Sequence, residues 1–197
     1  MCIIKFLTNL TTKNKIIWLI IGFSIMMLGG LTTESAFSKV NYPGSDFGGV
    51  PLTFDLQLKQ ENLSILERQG TLDLFVTVQY LDVGIIIGTL LFFTFLTLLI
   101  IKPFEQKSVF HKTGIVAIAS FLIAPTMDAL ENISMLILIA FRDQKDLLWL
   151  SFLNSGFTLG KMTFFYIGWI LAGIIIFSLL YRLCRRIIDK QNEPPPF

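Results

Sequence analysis

The chain has 197 residues, 53% of them hydrophobic and 15% charged, with a mean hydropathy of +0.69 and a formal net charge of +2. Such a composition excludes an ordinary soluble domain and a disordered polymer. The nearly balanced charge, with no phosphate loop and no basic-aromatic motif, gives no reason to invoke a nucleic-acid partner.

Read in chain order, Lys5, Lys13 and Lys15 precede a charge-free run, 16–33, that is long enough for a first span. Basic residues, an apolar run and Ala36-Phe37-Ser38 also fit a signal peptide. The run is long for that purpose and carries Gly22, Gly29 and Gly30, so a retained anchor is expected. The hydrophilic stretch 34–73 follows as a small cap. Within it NYPGSDFGG reads as turn, and Leu52 to Leu58 alternates apolar and polar with period two, which predicts a short strand that could pair only with residues 40–50. Gln60 to Gln69 predicts a helix with Leu63 and Leu66 on one side, ended by Gly70 in the left-handed conformation.

Three further spans are expected at about 74–101, 113–141 and 152–181, and the Pro-rich end of the 190–197 tail is expected to be disordered. The fold class is therefore all-α: a single membrane domain, a four-helix transmembrane bundle with a strand/helix cap between spans 1 and 2. Ten Lys and Arg flank the spans on the side of the termini, against five on the cap side (Lys39, Lys59, Arg68, Arg142 and Lys145). By the positive-inside rule both termini are cytoplasmic and the cap is extracytoplasmic, with the plasma membrane as the expected location. Cys2 and Cys184 then lie on the reducing side, and no CxxC is present, which argues against thiol redox chemistry.

The chemistry concentrates in one layer. Asp82 lies 20 residues from Lys102, Asp128 and Glu131 lie 16 and 19 from Lys112, and Lys161 lies 21 from Arg182. At 1.5 Å per residue, all four sit roughly 24–32 Å above the cytoplasmic boundary. Gln79 shares a helix face with Asp82, and Asn132 shares one with Asp128. Charges inside a bilayer turn inward, pair, or meet water. Three carboxylates against one lysine do not cancel, so the layer is acid-rich. Gly84-x-x-x-Gly88 and Gly156-x-x-x-Gly160 border it and fit close helix approach.

The oxygen ligands suit a hard cation, but Lys161 in the same layer argues against a metal. The single histidine, His111, is expected far from the carboxylates, so zinc and di-iron chemistry lack ligands. No cofactor is implied. The expected partners are membrane lipid and, in addition, a second copy or another membrane protein.

PLTFDLQ, the helix ending LERQG, Tyr80-x-Asp82, PTMDALENISML and the lone lysine of the fourth span together resemble a group of small bacterial integral membrane proteins, over roughly residues 50–165. Pro125-x-x-Asp128-x-x-Glu131-Asn132 is the most specific part. The resemblance implies a four-helix membrane fold and the recurrence of this polar set; it implies no activity. Three functions fit: a structural or accessory subunit locked by the cluster, a small enzyme acting on a lipid-type substrate at the outer leaflet, and a proton- or cation-coupled carrier working as an oligomer.

Overall fold

The structure is a computed structural model and describes residues 2–40, 42–43, 52–142, 144 and 146–191. Its helices are α1 (Cys2–Asn9), α2 (Thr12–Phe37), α3 (Leu56–Arg68), α4 (Leu72–Ile100), α5 (Val109–Ala140) and α6 (Leu148–Gln191). Four of them, α2, α4, α5 and α6, are long and apolar enough to cross a membrane. An all-α, multi-pass membrane protein is thus the architecture, with each span close to its expected position and α6 reaching well beyond it.

Packing order follows chain order. α2 lies along α4, α4 on α5 and α5 along α6, while α4 and α6 meet over only a short stretch. The central pair, α4 and α5, is the more buried, and α2 and α6 leave most of their apolar surface outside. In water that exposure would be prohibitive; against lipid tails it costs nothing.

Glycines explain the tight α2–α4 seam. A Cβ at Gly22 would stand 2.6 Å from the Phe92 backbone nitrogen, one at Gly29 2.8 Å from that of Ile85, and one at Gly88 2.3 Å from that of Met26. Gly84 meets Gly29 across the same seam. The second expected glycine pair behaves differently. A Cβ on Gly156 would touch nothing within 4 Å, and one on Gly160 would make ordinary contact with Met127. Small residues at that spacing therefore do not draw α6 against a neighbour within this chain; Gly168 does so instead, with the Phe121 ring 2.7 Å from where its Cβ would be.

The cap corrects the sequence reading in one respect. Leu52–Asp55 has no regular structure, and Leu56–Leu58 belongs to α3, so no strand forms among the described residues. Asp55 accepts hydrogen bonds from the Gln57 and Leu58 amides, at 2.8 and 3.4 Å, and so caps the helix. A lone strand would have left those donors unpaired. Burial along α3 then follows the helical period, with Leu56, Lys59, Leu63 and Leu66 inward and Leu58 outward. Gly70 at φ 69° ends the segment. The turn expected at 41–49 falls mostly outside the described residues, as does the Pro-rich end.

Hydrophobic packing sits at three levels. Val40, Tyr42, Leu63, Leu66 and Phe75 tie the cap to the helix ends. In the middle, Phe93 packs against Phe121, Phe165 and Trp169, with ring centroids 5.0, 5.4 and 4.9 Å apart. At the termini end, α1 lays Ile4 and Leu7 against a cluster built on Leu98, Ile101, Phe104 and Ile175. This short helix breaks after Asn9, and Thr11 caps the start of α2 through the Asn14 amide.

Candidate functional site

Lys161 of α6 reaches α5 and places its Nζ 2.7 Å from Asp128 Oδ1 and 2.7 Å from Glu131 Oε2. The two carboxylates stand three residues apart on α5, nearly one turn, which lets one ammonium meet both. On α4, Asp82 Oδ2 accepts a hydrogen bond from Asn132 Nδ2 at 2.8 Å. Five of the six residues of the expected polar cluster are thus joined around one stretch of α5, and the sixth, Gln79, lines the cavity beside Asp82. Lys161 occupies the place between Asp128 and Glu131 that a bound cation would need, and among the described residues no three acidic, His or Cys groups are set to hold a metal.

The charges divide unequally. Asp128 and Glu131 share Lys161, whereas Asp82 has a neutral amide as its hydrogen-bond donor. A carboxylate held only by an amide keeps most of its charge uncompensated. The side chains of Lys161, Asp128 and Glu131 remain 29%, 20% and 15% exposed, so the cluster is not sealed.

Two cavities explain that exposure. One, of about 220 Å³, runs along Ile85, Thr89, Pro125 and Phe165 and ends at Asp128 and Lys161. The other, of about 210 Å³, lies toward the cap and is bordered by Thr33, Gln79, Asp82, Asn132 and Lys161. Lys161 and Met162 belong to both walls. Both spaces lie where α4 and α6 face each other across α5 with little direct contact. Pro125, buried within a continuous α5, cannot donate to the preceding turn and helps shape the apolar side.

Gln79 is 91% buried, yet it makes no hydrogen bond with any described residue. The Thr33 hydroxyl oxygen, across the same cavity, is buried and unpartnered, whereas the Gln79 amide opens onto the cavity. Unpaired polar groups in a membrane interior are costly, and the Gln79 amide and Thr33 hydroxyl both face this cavity without a partner in the protein among the described residues.

A second polar network was missed in the sequence. Lys59 of α3 is 97% buried and donates to Asn154 Oδ1 at 2.6 Å, Ser155 Oγ at 2.8 Å and the Ser151 carbonyl at 3.2 Å. Asn154 in turn donates to the Glu131 carbonyl and to Ser134 Oγ, both at 2.9 Å. Ser155 donates to the Thr53 carbonyl, and Ser151 to that of Phe54. Burial pushes the Lys59 ammonium down to about 8, against the opposing pull of the Glu131 charge. Ser151, Asn154, Ser155 and Thr158 form a polar stripe of helical period that was legible; that Lys59 would meet it was not. Arg142 pairs with Glu67 and closes the rim of the cap.

Comparison of the chain with protein-family models, with curated proteins and with solved structures finds no match. Function has to be argued from the geometry.

Proposed function

We propose that this protein holds the headgroup of a membrane amphiphile, one bearing a cationic amine, in the polar layer between α4, α5 and α6. Gln79 carries the reading: a nine-tenths buried carboxamide without a partner, lining the same cavity as the incompletely compensated Asp82. An ammonium group donates, and Asp82, the Gln79 carbonyl oxygen and the Thr33 hydroxyl can all accept. The apolar cavity along Ile85, Pro125 and Phe165 extends from the same lysine and suits a hydrocarbon chain.

The Lys and Arg asymmetry supports cytoplasmic termini and a site in the outer leaflet of a bacterial plasma membrane. The resemblance to small bacterial four-helix membrane proteins agrees with that setting. Aromatic packing of Phe93, Phe121, Phe165 and Trp169 fills the bundle toward the termini, which counts against a carrier path through it.

One observation favours a second reading, that of an accessory subunit. Lys161 bridges two carboxylates on the neighbouring helix, an arrangement that fixes α6 on α5 whatever else binds. The wide apolar faces of α2 and α6 would then receive a second copy or another membrane protein.

Native mass spectrometry of the detergent-solubilised full chain separates the two. The amphiphile reading expects retained phosphatidylethanolamine in preference to phosphatidylcholine, and a loss of at least about tenfold in Asp82→Asn, as removal of a partly desolvated charge contact implies. No retained amphiphile, or equal retention in Asp82→Asn, overturns it in favour of the accessory role.

A further inference from the structure

At the opposite end of the molecule from the carboxylate layer, a cavity of about 170 Å³ opens beside the α1–α2 break. Lys15, Lys102 and His111 line it, with Thr8, Phe104 and Gln106, and none of its described lining residues is acidic. Lys15 is 93% buried, and its ammonium donates to the Thr8 carbonyl at 2.8 Å. Lys102 donates to Thr12 Oγ1 at 2.7 Å. Both lysines are therefore held by neutral oxygens in the protein, and neither has an ion pair there among the described residues. The Nδ1 atom of His111 is buried and has no hydrogen-bond partner.

Burying one lysine beside another positive charge costs free energy that a neutral acceptor does not return. Helix ends are balanced there: α2 and α5 begin beside the cavity and α1 and α4 end beside it, so the excess positive charge is that of the side chains. Arg182 stands over the Phe104 ring, with its guanidinium carbon 4.7 Å from the centroid, and extends the basic surface outward. Basic side chains gathered without an acidic partner among the described residues call for an anion.

The source of that anion is indicated by what lies next along α4. Lys102 and Leu98 border the basic cavity; one and two turns back, Phe95 and Leu91 border a second space of about 390 Å³. Its wall is completed by Phe6 and Leu10 on one side and Trp18 on the other. The lining is almost wholly apolar. A charged cavity with an apolar groove next to it along α1 and α4 matches a phosphate headgroup with its acyl chain, and not a soluble phosphate, which would leave the groove empty.

We infer that the α1–α2 corner is a binding site for an anionic phospholipid, with the phosphate among Lys15, Lys102 and His111 and one acyl chain between α1 and α4. The site shares no residue with the carboxylate layer, so it stands or falls independently of the headgroup site there. Its function would be to seat α1 on the membrane surface, since α1 packs on the bundle only along one side and leaves Phe6 65% exposed.

Native mass spectrometry of the full chain with added phosphatidylglycerol or phosphatidylcholine tests this. Wild type is expected to retain phosphatidylglycerol at least about tenfold better, and the preference should fall to near unity in a Lys15→Gln/Lys102→Gln double variant. Because Lys15 also ties down α1, Lys102→Gln and His111→Gln are measured singly; Lys102 is exposed at the surface and each change is expected to lower the preference severalfold without shifting the melting temperature. Equal retention of the two lipids by wild type overturns the inference. So does an unchanged preference in all three variants. Displacement of phosphatidylglycerol by millimolar inorganic phosphate would overturn the lipid assignment and leave a small-anion site.

Discussion

The Lys59 ammonium lies 2.6 Å from Asn154 Oδ1, and the same Asn154 donates to the Glu131 carbonyl. A residue of the cap is thereby joined, through one amide, to the helix turn that carries the carboxylate cluster. The cap and the membrane layer form one polar unit.

Proton linkage at Lys59 follows from its burial. Its pKa in the folded protein is lowered from 10.5 to about 8, so the folded state gives up this proton before a detached cap would. Between about pH 8 and 10.5 the detached state binds more protons, and stability of the docked cap rises with pH across that window. Below pH 8 the lysine is charged in both states and its contribution is level. The melting temperature of wild type relative to Lys59→Met should therefore climb between pH 8 and 10; a difference that stays constant or falls would contradict it.

Lys161 serves two carboxylates, so its loss is worse than a single broken pair. Lys161→Met should destabilise the detergent-solubilised protein by about 1–3 kcal/mol, between values for exposed and fully buried pairs, because the side chains are partly exposed. The triple change with Asp128→Asn and Glu131→Gln removes the stranded charges and should recover most of that loss. Thermal unfolding of wild type, Lys161→Met, Asp128→Asn/Glu131→Gln and the triple variant in one detergent measures it, and an additive triple variant would argue against coupling.

Glycine substitutions should split by helix. Gly88→Ala puts a methyl 2.3 Å from the Met26 backbone nitrogen, and no side-chain movement can relieve that contact. A loss of about 1–3 kcal/mol is expected, as for overpacking in general. Gly156→Ala meets open space and should be neutral or gain up to about 1 kcal/mol from helix propensity. Equal effects at the two positions would mean that α2 does not lie on α4 as described.

Topology can be read from single cysteines. Gln57 is exposed on the cap and Cys184 is exposed near the end of α6. In a Cys2→Ser background, a membrane-impermeant maleimide should label Gln57→Cys in intact cells and reach Cys184 only after permeabilisation. Labelling in the reverse order would invert the proposed orientation.

The number and approximate place of the long apolar helices and the common level of the ionisable residues along them were legible because each depends on local quantities: run length, rise per residue and helical period. That is why Asp82, Asp128, Glu131, Asn132 and Lys161 could be placed in one layer before any contact was known. The cap shows where local reading fails. Leu52 to Leu58 alternates as a strand does, but a strand needs a partner, and Asp55 offered the backbone a helix cap instead. Gly84 and Gly156 sit in identical spacings, and only the first has a helix against it.

What the sequence alone determined is therefore the class of molecule and the inventory of charge, since hydrophobic length and the excess of carboxylates hold in any packing. Which carboxylate would be left without the lysine, that Gln79 would face a cavity unpaired, and that Lys59 would be buried against Asn154 were decided by tertiary structure. Each depends on how far α4 and α6 separate over α5 and on where the cap docks, distances fixed by side-chain volume across the interfaces and not by the order of residues along any one helix.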